Sequence, residues 1–319
     1  IISTQTKNRE PSYICSSNVI QLSVLVRQSN ETKMKASTQL YHLLQTIGVV
    51  RYSGKKNIYG LHPLIISAAV ITATIILADL IRKLLNVILK ETIAKEIILE
   101  FLATAELCAC CFELIVVADN YGVLTYGFFL FLLTLWWSSV WEDATACPYS
   151  LVEEFLDGYK TLSTTLILIA SQVLGGLAVY SYVQSIWKIQ LAETHIGLLG
   201  QECVADLAVP FEYGAAIEGI ATFLCRLVSR ILGETSLRCA HVLDAFFATL
   251  LVLAAFNFSG GYFNPALATS LKFGCKGNTF QEHMIVYWLG ATLGAVASLY
   301  FFKLPFVQRR LDKFKEKYD

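Results

Sequence analysis

The stretch Ser259-Gly260-Gly261-Tyr262-Phe263-Asn264-Pro265-Ala266 decides the fold, because it interrupts an apolar region with glycines and a proline where a membrane helix would need continuity. A second proline motif, Cys147-Pro148-Tyr149, occupies the matching place in the first half of the chain. Each motif follows an apolar segment with a Glu-x-x-x-Thr pattern, Glu100 with Thr104 and Glu218 with Thr222. Glu100 precedes Pro148 by 48 residues, and Glu218 precedes Pro265 by 47. Paired broken helices in two repeats are typical of a pore or a transport site.

The composition is that of a membrane protein. Of the 319 residues, 55% are hydrophobic and only 16% are charged, and the mean hydropathy is +0.55. The formal net charge is zero, so the chain lacks the basic footprint of a nucleic-acid-binding protein. The nine cysteines are an odd number and lie mostly in apolar segments, which argues against an extracellular disulfide framework.

Seven segments have the length and apolar content of spanning helices, which need roughly 20 residues. They are 63–81, 97–118, 122–141, 161–187, 207–228, 239–258 and 283–304, with shorter half-spanning segments near 147–157 and 264–275. Setting 63–81 aside as an extra helix leaves two units, 97–187 and 207–304. Each unit has two helices, a proline-led half-helix and a third helix. Three spans per unit require the second unit to be inverted relative to the first.

The flanking regions are assigned separately. We interpret residues 1–33 as untranslated or disordered sequence, with Met34 as the start. Residues 34–95 form an N-terminal region that contains the 63–81 helix, which either spans fully or lies re-entrant or flat. Residues 305–319 are a basic tail. Basic residues at 82–95, 226–238 and in this tail fall on one face, which the positive-inside rule assigns to the cytosol.

These residues give the chain a resemblance to the aquaporin (major intrinsic protein) family over about residues 95–305. The two Glu-x-x-x-Thr patterns and Asn264-Pro265-Ala266 carry it. The degenerate first motif, and Cys275 nine residues after Ala266, resemble the unorthodox subcellular branch, the super-aquaporins of the eleven and twelve type. The Cys-Pro-Tyr form is similar to that of arthropod members. An ordinary Asn-Pro turn between helices is the alternative for the second motif.

The resemblance implies an all-α integral membrane fold with six spanning helices and two half-helices in an inverted repeat, to which the N-terminal hydrophobic segment is added. It implies that Cys147, Pro148, Tyr149, Asn264, Pro265 and Ala266 form the pore motifs. It further implies that Glu100, Thr104, Glu218 and Thr222 support the two pore loops. Two half-helix N-termini that meet at the midplane concentrate positive potential there, which repels protons and other cations.

Two departures from the family pattern concern selectivity. Cys147 replaces an asparagine, and a thiol is a weak donor without an amide. Leu267 stands where water-selective members carry an arginine, so the filter is expected to be more apolar. Gly261 matches a further filter position, and the remaining two lie near 126–130 and 248–252. We therefore expect passage of water, glycerol or hydrogen peroxide, with the alternative that the pore is blocked.

Acidic and cysteine residues in the first span of the repeat have no explanation in the family. Glu106 and Glu113 share a helix face, and Glu100 lies roughly 120° away. They indicate a water-filled vestibule, a helix end or a proton relay. Cys108, Cys110 and Cys111 do not converge on a tetrahedral metal site and are expected to pack between helices. The branch-specific spacing of Cys275 indicates a role in packing or assembly, and a disulfide there is an alternative that nothing else in the sequence supports.

The function expected from the sequence is a passive channel for water and small neutral solutes, with a non-conducting structural or interaction protein as the alternative. We expect no enzymatic activity, cofactor, metal or nucleic-acid partner. The family resemblance implies a homotetramer in a lipid bilayer. Lys315 and Lys317 resemble a dilysine retrieval signal of the endoplasmic reticulum, although a solvated basic tail is an equal reading and a plasma-membrane location remains open.

Overall fold

The computed structural model describes residues 61–235 and 237–318, with side chains as far as Lys315. The predictions for 1–33 and for 34–60 lie outside the described residues. The helices run in chain order as α1 Pro63–Ile88, α2 Ile93–Tyr121, α3 Val123–Val140, α4 Pro148–Leu156, α5 Leu162–Ile189, α6 Phe211–Gly233, α7 Ala240–Ser259, α8 Pro265–Lys272, α9 Phe280–Phe302 and α10 Pro305–Tyr318.

Local sequence signals set the starts of these helices. Pro63, Pro148 and Pro265 each occupy a first helical position, where the missing N–H leaves no hydrogen bond unmade. At the start of α9, Thr279 and Glu282 form a reciprocal capping box. The proline-led helices α4 and α8 contain 9 and 8 residues. They are about 12–14 Å long and therefore cross only part of a hydrocarbon core of about 30 Å.

The spanning helices form a ring of two similar halves. In the first half α2 packs between α3 and α5, and in the second half α6 packs between α7 and α9. The halves meet where α3 packs on α7. On the other side, α4 packs against α9 and α8 packs against α5. Because each half-helix contacts the third helix of the other repeat, neither repeat is complete without its partner. The fold is the all-α bundle of two repeats that the sequence predicted.

The ring has two ends of different charge. We call the end that carries Arg226, Arg230 and α10 the basic end, and the end where α2 meets α3 the distal end. Among the described helices, α1, α2, α3, α5, α7 and α9 are long and apolar enough to cross a membrane. Helix α6 is not in that group, because its 23 residues include Glu218 as well as both arginines. Its position between α7 and α9 nevertheless makes it a member of the bundle.

The extra N-terminal segment is one continuous helix of 26 residues that packs along α2. The helix contains the predicted 63–81 segment, extends it toward the basic end, and is long and apolar enough to cross a membrane. A buried ion pair joins Arg82 of α1 to Glu106 of α2, with Nη2 and Oε2 2.5 Å apart. The same Glu106 oxygen accepts a hydrogen bond from Trp141 Nε1 at 3.0 Å. Helix α1 is therefore fixed to the ring by a charge that would otherwise be buried without a partner.

The second unexplained acid is also paired within the protein. Glu113 accepts a hydrogen bond from Trp187 Nε1 at 3.0 Å, and its other oxygen lies 2.8 Å from His195 Nε2. These contacts join α2 to the end of α5 and to the connection before α6. Glu106 thus pairs with Arg82, and Glu113 pairs with His195. The structure gives each acid a role in packing. Cys108, Cys110 and Cys111 are buried free thiols.

Glycines permit the closest helix crossings. A Cβ added to Gly294 of α9 would lie 2.1 Å from the carbonyl oxygen of Gly219 in α6, and one added to Gly175 of α5 would lie 2.3 Å from that of Phe101 in α2. Real Cβ atoms do not approach backbone so closely. Gly290 and Gly294 form a Gly-x-x-x-Gly pattern in α9, a pattern that permits close crossing of membrane helices.

Candidate pore and its two half-helices

The two half-helices meet at their N-termini through Asn264. Its Oδ1 accepts hydrogen bonds from the backbone N–H groups of Ala266 and Leu267, at 3.0 and 3.2 Å. Its Nδ2 donates to the carbonyl oxygen of Ala146, 2.8 Å away on the other pore loop. A side-chain amide has two N–H donors. One joins the two pore loops through Ala146, and the other makes no hydrogen bond to the described residues.

The first half-helix lacks the equivalent contact. Cys147 is the N-cap residue of α4, and its side chain makes no capping hydrogen bond. It is buried in an apolar cluster with Tyr149, Ala291 and Ala295. The junction is therefore asymmetric, with an amide from the second repeat and a thiol packed against α9 from the first.

In each repeat a buried glutamate accepts hydrogen bonds from the backbone of the pore loop. The two oxygens of Glu100 accept hydrogen bonds from the backbone N–H groups of Thr145 and Ala146, both at 2.9 Å. Gln172 of α5 donates to the same carboxylate at 2.8 Å. Ionised carboxylates make the stronger class of hydrogen bond. Glu100 thus fixes the backbone immediately before Cys147.

Glu218 makes the same contacts in the second repeat. Its oxygens accept from the backbone N–H groups of Tyr262 at 3.2 Å and Phe263 at 2.7 Å. The hydroxyl of Ser259 donates to it at 2.7 Å. The correspondence with Glu100 extends to the residue before the cap, because Ala146 and Phe263 have φ of 49° and 47°. Such left-handed backbone costs about 1–3 kcal/mol in a residue other than glycine and persists only where its surroundings hold it.

The two threonines of the Glu-x-x-x-Thr patterns do not reach the loops. The Thr104 hydroxyl donates to the carbonyl oxygen of Glu100 in its own helix, at 2.8 Å. The buried Thr222 hydroxyl makes no hydrogen bond to any of the residues that the structure describes. Direct contact with the loops is confined to the glutamates of the two patterns.

A cavity of about 680 Å³ opens on the distal side of the junction. Gly261 and Leu267, both singled out as filter positions in the sequence, line it. Gly261 has φ of 64°, and an added Cβ would lie 2.7 Å from the Val252 carbonyl oxygen, so conformation and space both require glycine. Leu267 presents carbon surface to this cavity, and the hydroxyl-bearing residues Thr269 and Ser270 of α8 line it as well.

Three aromatic residues of this cavity were not assigned from the sequence. Tyr126, Phe256 and Tyr262 line it, and the rings of Tyr126 and Phe256 have centroids 5.0 Å apart. Tyr126 falls within the predicted range 126–130. Phe256 lies one helical turn beyond 248–252, and an aromatic residue facing across from Tyr126 is the signal that would have found it. The Tyr262 hydroxyl donates to Asp206.

A second cavity, of about 480 Å³, lies on the basic side of the junction. It is lined by the pore-loop residue Thr145, by Trp137 of α3 and by Glu153 of α4. Two arginines of α6, Arg226 and Arg230, line it as well. The junction of the half-helices therefore lies between two cavities, and charged side chains line both of them, among others Asp206 and Lys272 on the distal side and Arg226 and Arg230 on the basic side.

The rim of the distal cavity contains a disulfide between Cys203 and Cys275. The cysteine pattern did not single out this pair, because most of the nine cysteines lie in apolar segments, and the structure shows that the disulfide left open at Cys275 is formed with Cys203. The backbone N–H of Lys276 donates to the Cys203 carbonyl at 3.0 Å, and Lys272 Nζ lies 2.9 Å from Asp206. The connection before α6 is thereby bound to the end of α8, over the pore loop.

Comparison with known proteins establishes the relationship. Aquaporin-11 of Milnesium tardigradum is 30% identical over 246 residues, which cover 76% of this chain and 88% of that protein. The chain belongs to the aquaporin family. Aquaporin-12 of Mus musculus is 32% identical over 206 residues, covering 61% of this chain and 70% of that protein. These relatives confirm the predicted unorthodox aquaporin branch.

A solved structure agrees in fold. The X-ray structure of the aquaglyceroporin from Plasmodium falciparum gives a TM-score of 0.53 and covers 69% of this chain and 99% of that chain, at 15% identity. No family model matches the chain. As an aquaporin, the protein is a multi-pass membrane channel for water or small solutes.

Proposed function

We propose that this aquaporin is a passive channel for water, glycerol and hydrogen peroxide in an intracellular membrane. The observation that carries the proposal is the Asn264 amide, which joins the two pore loops and has a second N–H that makes no hydrogen bond to the described residues. Cys147, Pro148, Tyr149, Asn264, Pro265 and Ala266 are its pore motifs, and Gly261 and Leu267 belong to its filter. Glu100 and Glu218 support the loops, while Thr104 and Thr222 contribute packing.

The carbon surface in the distal cavity supports the inclusion of solutes larger than water. A charged filter residue holds water strongly and narrows the passage, whereas Leu267, Tyr126 and Phe256 present carbon surface. The carbon backbone of glycerol can contact such a surface while its hydroxyl groups bind the Asn264 amide. Hydrogen peroxide offers the same donors and acceptors as water at a similar size.

Solute flux into proteoliposomes that contain the purified chain tests the proposal. Stopped-flow light scattering under water and glycerol gradients is expected to show permeability above that of empty liposomes. Asn264→Asp exchanges an amide donor for a carboxylate and is expected to alter flux, and Leu267→Arg is expected to reduce glycerol flux more than water flux. Asn120→Asp makes the same chemical change at the distal end of α2 and is the matched control. Permeability equal to that of empty liposomes, with folded protein confirmed, would refute the channel function.

A non-conducting structural role is the second candidate. The contact between the Tyr126 and Phe256 rings favours it, because a closed aromatic pair would obstruct the distal cavity. Tyr126→Ala distinguishes the two functions. If the aromatic pair only narrows the pore, the wild type conducts measurably and the variant is expected to conduct more. If the pair closes the pore, the wild type is expected to show no flux and the variant to show flux.

The location and assembly are proposed on separate grounds. By the positive-inside rule the basic end faces the cytosol, which places the segment of sequence that carries Lys315 and Lys317 in the same compartment as cytosolic retrieval machinery. Lys315 Nζ also lies 2.7 Å from Glu234. Replacement of both lysines by alanine is expected to shift the protein from the endoplasmic reticulum toward the cell surface, as measured by surface biotinylation. We also propose a homotetramer, which the family relationship supports, and light scattering of the detergent complex tests it.

A further inference from the structure

Tyr262, next to the filter residue Gly261, is bound to the rest of the protein at two separate points. Its backbone N–H donates to Glu218 of α6 at 3.2 Å, and its hydroxyl donates to Asp206, which lies before α6. Its ring also packs edge-on against Tyr287 of α9, with centroids 5.4 Å apart. The second pore loop is therefore held through its backbone from within the bundle and through one side chain from the distal rim.

Asp206 is itself fixed in place. Its Oδ2 accepts from the tyrosine hydroxyl, while its Oδ1 lies 2.9 Å from Lys272 Nζ. The backbone on both sides of it is bound as well. The Ala205 N–H donates to the carbonyl oxygen of Lys276, after α8, and the Ala208 N–H donates to a carbonyl oxygen in the last turn of α7, both at 2.9 Å. A hydrogen bond to a carboxylate belongs to the stronger class, so Asp206 is a firm attachment for the tyrosine.

The Tyr262 ring lies directly against the pore-loop backbone. A Cβ added to Gly260, which has φ of 88°, would lie 2.5 Å from Tyr262 Cε2 and 3.1 Å from Asp206 Cβ. Tyr262 lines the distal cavity together with Gly261 and Leu267. The position of this ring therefore affects the room that a solute has beside the filter.

We propose that Asp206 is a positioning residue of this channel, and that Tyr262, which it holds, is a specificity-determining residue that limits the passage of solutes wider than water. The inference rests on the proposed channel function and deepens it. While the hydroxyl is bound to the carboxylate, the ring cannot rotate away from the pore loop without losing that hydrogen bond. Once the bond is removed, the ring can turn toward the distal mouth. The passage then widens, which favours glycerol more than the smaller water molecule.

Two substitutions cut the hydrogen bond from opposite ends. Tyr262→Phe removes the hydroxyl and keeps the ring, and Asp206→Leu removes the acceptor at similar side-chain size. Asp206→Leu also leaves Lys272 without its carboxylate, whereas Tyr262→Phe keeps both charges, so agreement between the two excludes an effect of charge. Tyr287→Phe is the matched control. It removes another tyrosine hydroxyl, which donates to the Ser259 carbonyl oxygen at 2.8 Å, and leaves the bond to Asp206 intact.

Stopped-flow light scattering on proteoliposomes under water and glycerol gradients gives the ratio of glycerol to water permeability for each variant. Tyr262→Phe, Asp206→Leu and the double variant are expected to raise this ratio by the same factor, about threefold, the change that about 0.65 kcal/mol of barrier gives. The double variant adds nothing because both changes cut one bond. Tyr287→Phe is expected to keep the wild-type ratio.

An unchanged ratio in Tyr262→Phe, with a conducting wild type, would overturn the inference alone. Effects that add in the double variant, or an equal rise in Tyr287→Phe, would overturn it as well. If Asp206→Leu does not fold, Tyr262→Phe and its control decide the question. Wild-type water permeability at the level of empty liposomes would refute the channel function, and this inference with it.

Discussion

Replacing Arg82 by methionine tests whether the extra helix α1 is an integral part of the protein. Glu106 has a fully buried side chain and Arg82 is 3% exposed, so the pair lies away from solvent. Without the guanidinium, Glu106 Oε2 keeps only the hydrogen bond from Trp141. Breaking a buried ion pair on one side costs about 3–5 kcal/mol, because a charge is left without compensation. We expect Arg82→Met to reduce the free energy of unfolding by that amount.

A second variant gives the prediction its control. Adding Glu106→Gln to Arg82→Met removes the unpaired charge, and a buried pair replaced by neutral groups of similar size is often nearly neutral. The double variant is expected to lie within about 2 kcal/mol of the wild type. Equilibrium unfolding in mixed detergent micelles, followed by tryptophan fluorescence, measures all three. If the single and the double variant lose the same stability, the reasoning fails, because the loss then comes from side-chain volume rather than from charge.

Three further predictions concern the rim, a helix crossing and a pore loop. Cys203→Ser, Cys275→Ser and the double serine variant should lower the free energy of unfolding equally, by about 2–4 kcal/mol, since each removes the same bond; unequal losses in thermal unfolding would contradict this. Gly294→Ala should destabilise by about 1–3 kcal/mol because its methyl group meets backbone, while Gly233→Ala, which has nothing within 4 Å, should be neutral or stabilising in the same assay. Glu218→Gln should cost about 1.5–3 kcal/mol and lower water flux, because one loop N–H then faces an amide donor; unchanged flux would show that the loop holds its conformation alone.

The repeats and their half-helices could be predicted because their signals are local. These signals are the prolines at 148 and 265, the glycines at 260 and 261, and the spacing from the glutamates to the prolines. Each signal lies within about 50 residues of sequence. Helix ends were predicted less well. The predicted span 97–118 extends to Ile93–Tyr121, because hydropathy marks the hydrocarbon core whereas helical hydrogen bonding continues to the caps.

The partners of buried polar groups could not be predicted. Arg82 with Glu106, His195 with Glu113 and Arg226 with Glu153 join residues that are 24 to 82 positions apart. Periodicity shows that an acid lies on an apolar helix, but it does not show which distant side chain faces it. The sequence-based alternative that Glu106 and Glu113 form a proton relay arose because their partners could not be identified from the sequence. An acid without a visible partner suggests proton transfer.

The disulfide at the distal rim also depends on how the chain was inserted into the membrane. Cys203 precedes α6 and Cys275 follows α8, so two spanning helices separate the thiols by 72 positions. The two thiols lie on opposite sides of the membrane when only one of α6 and α7 has crossed it. Helix α6 is the ring member whose charges make its insertion least favourable. A chain that left α6 outside the bilayer would retain two free thiols, and alkylation of newly made protein would separate it from correctly inserted molecules before any transport is measured.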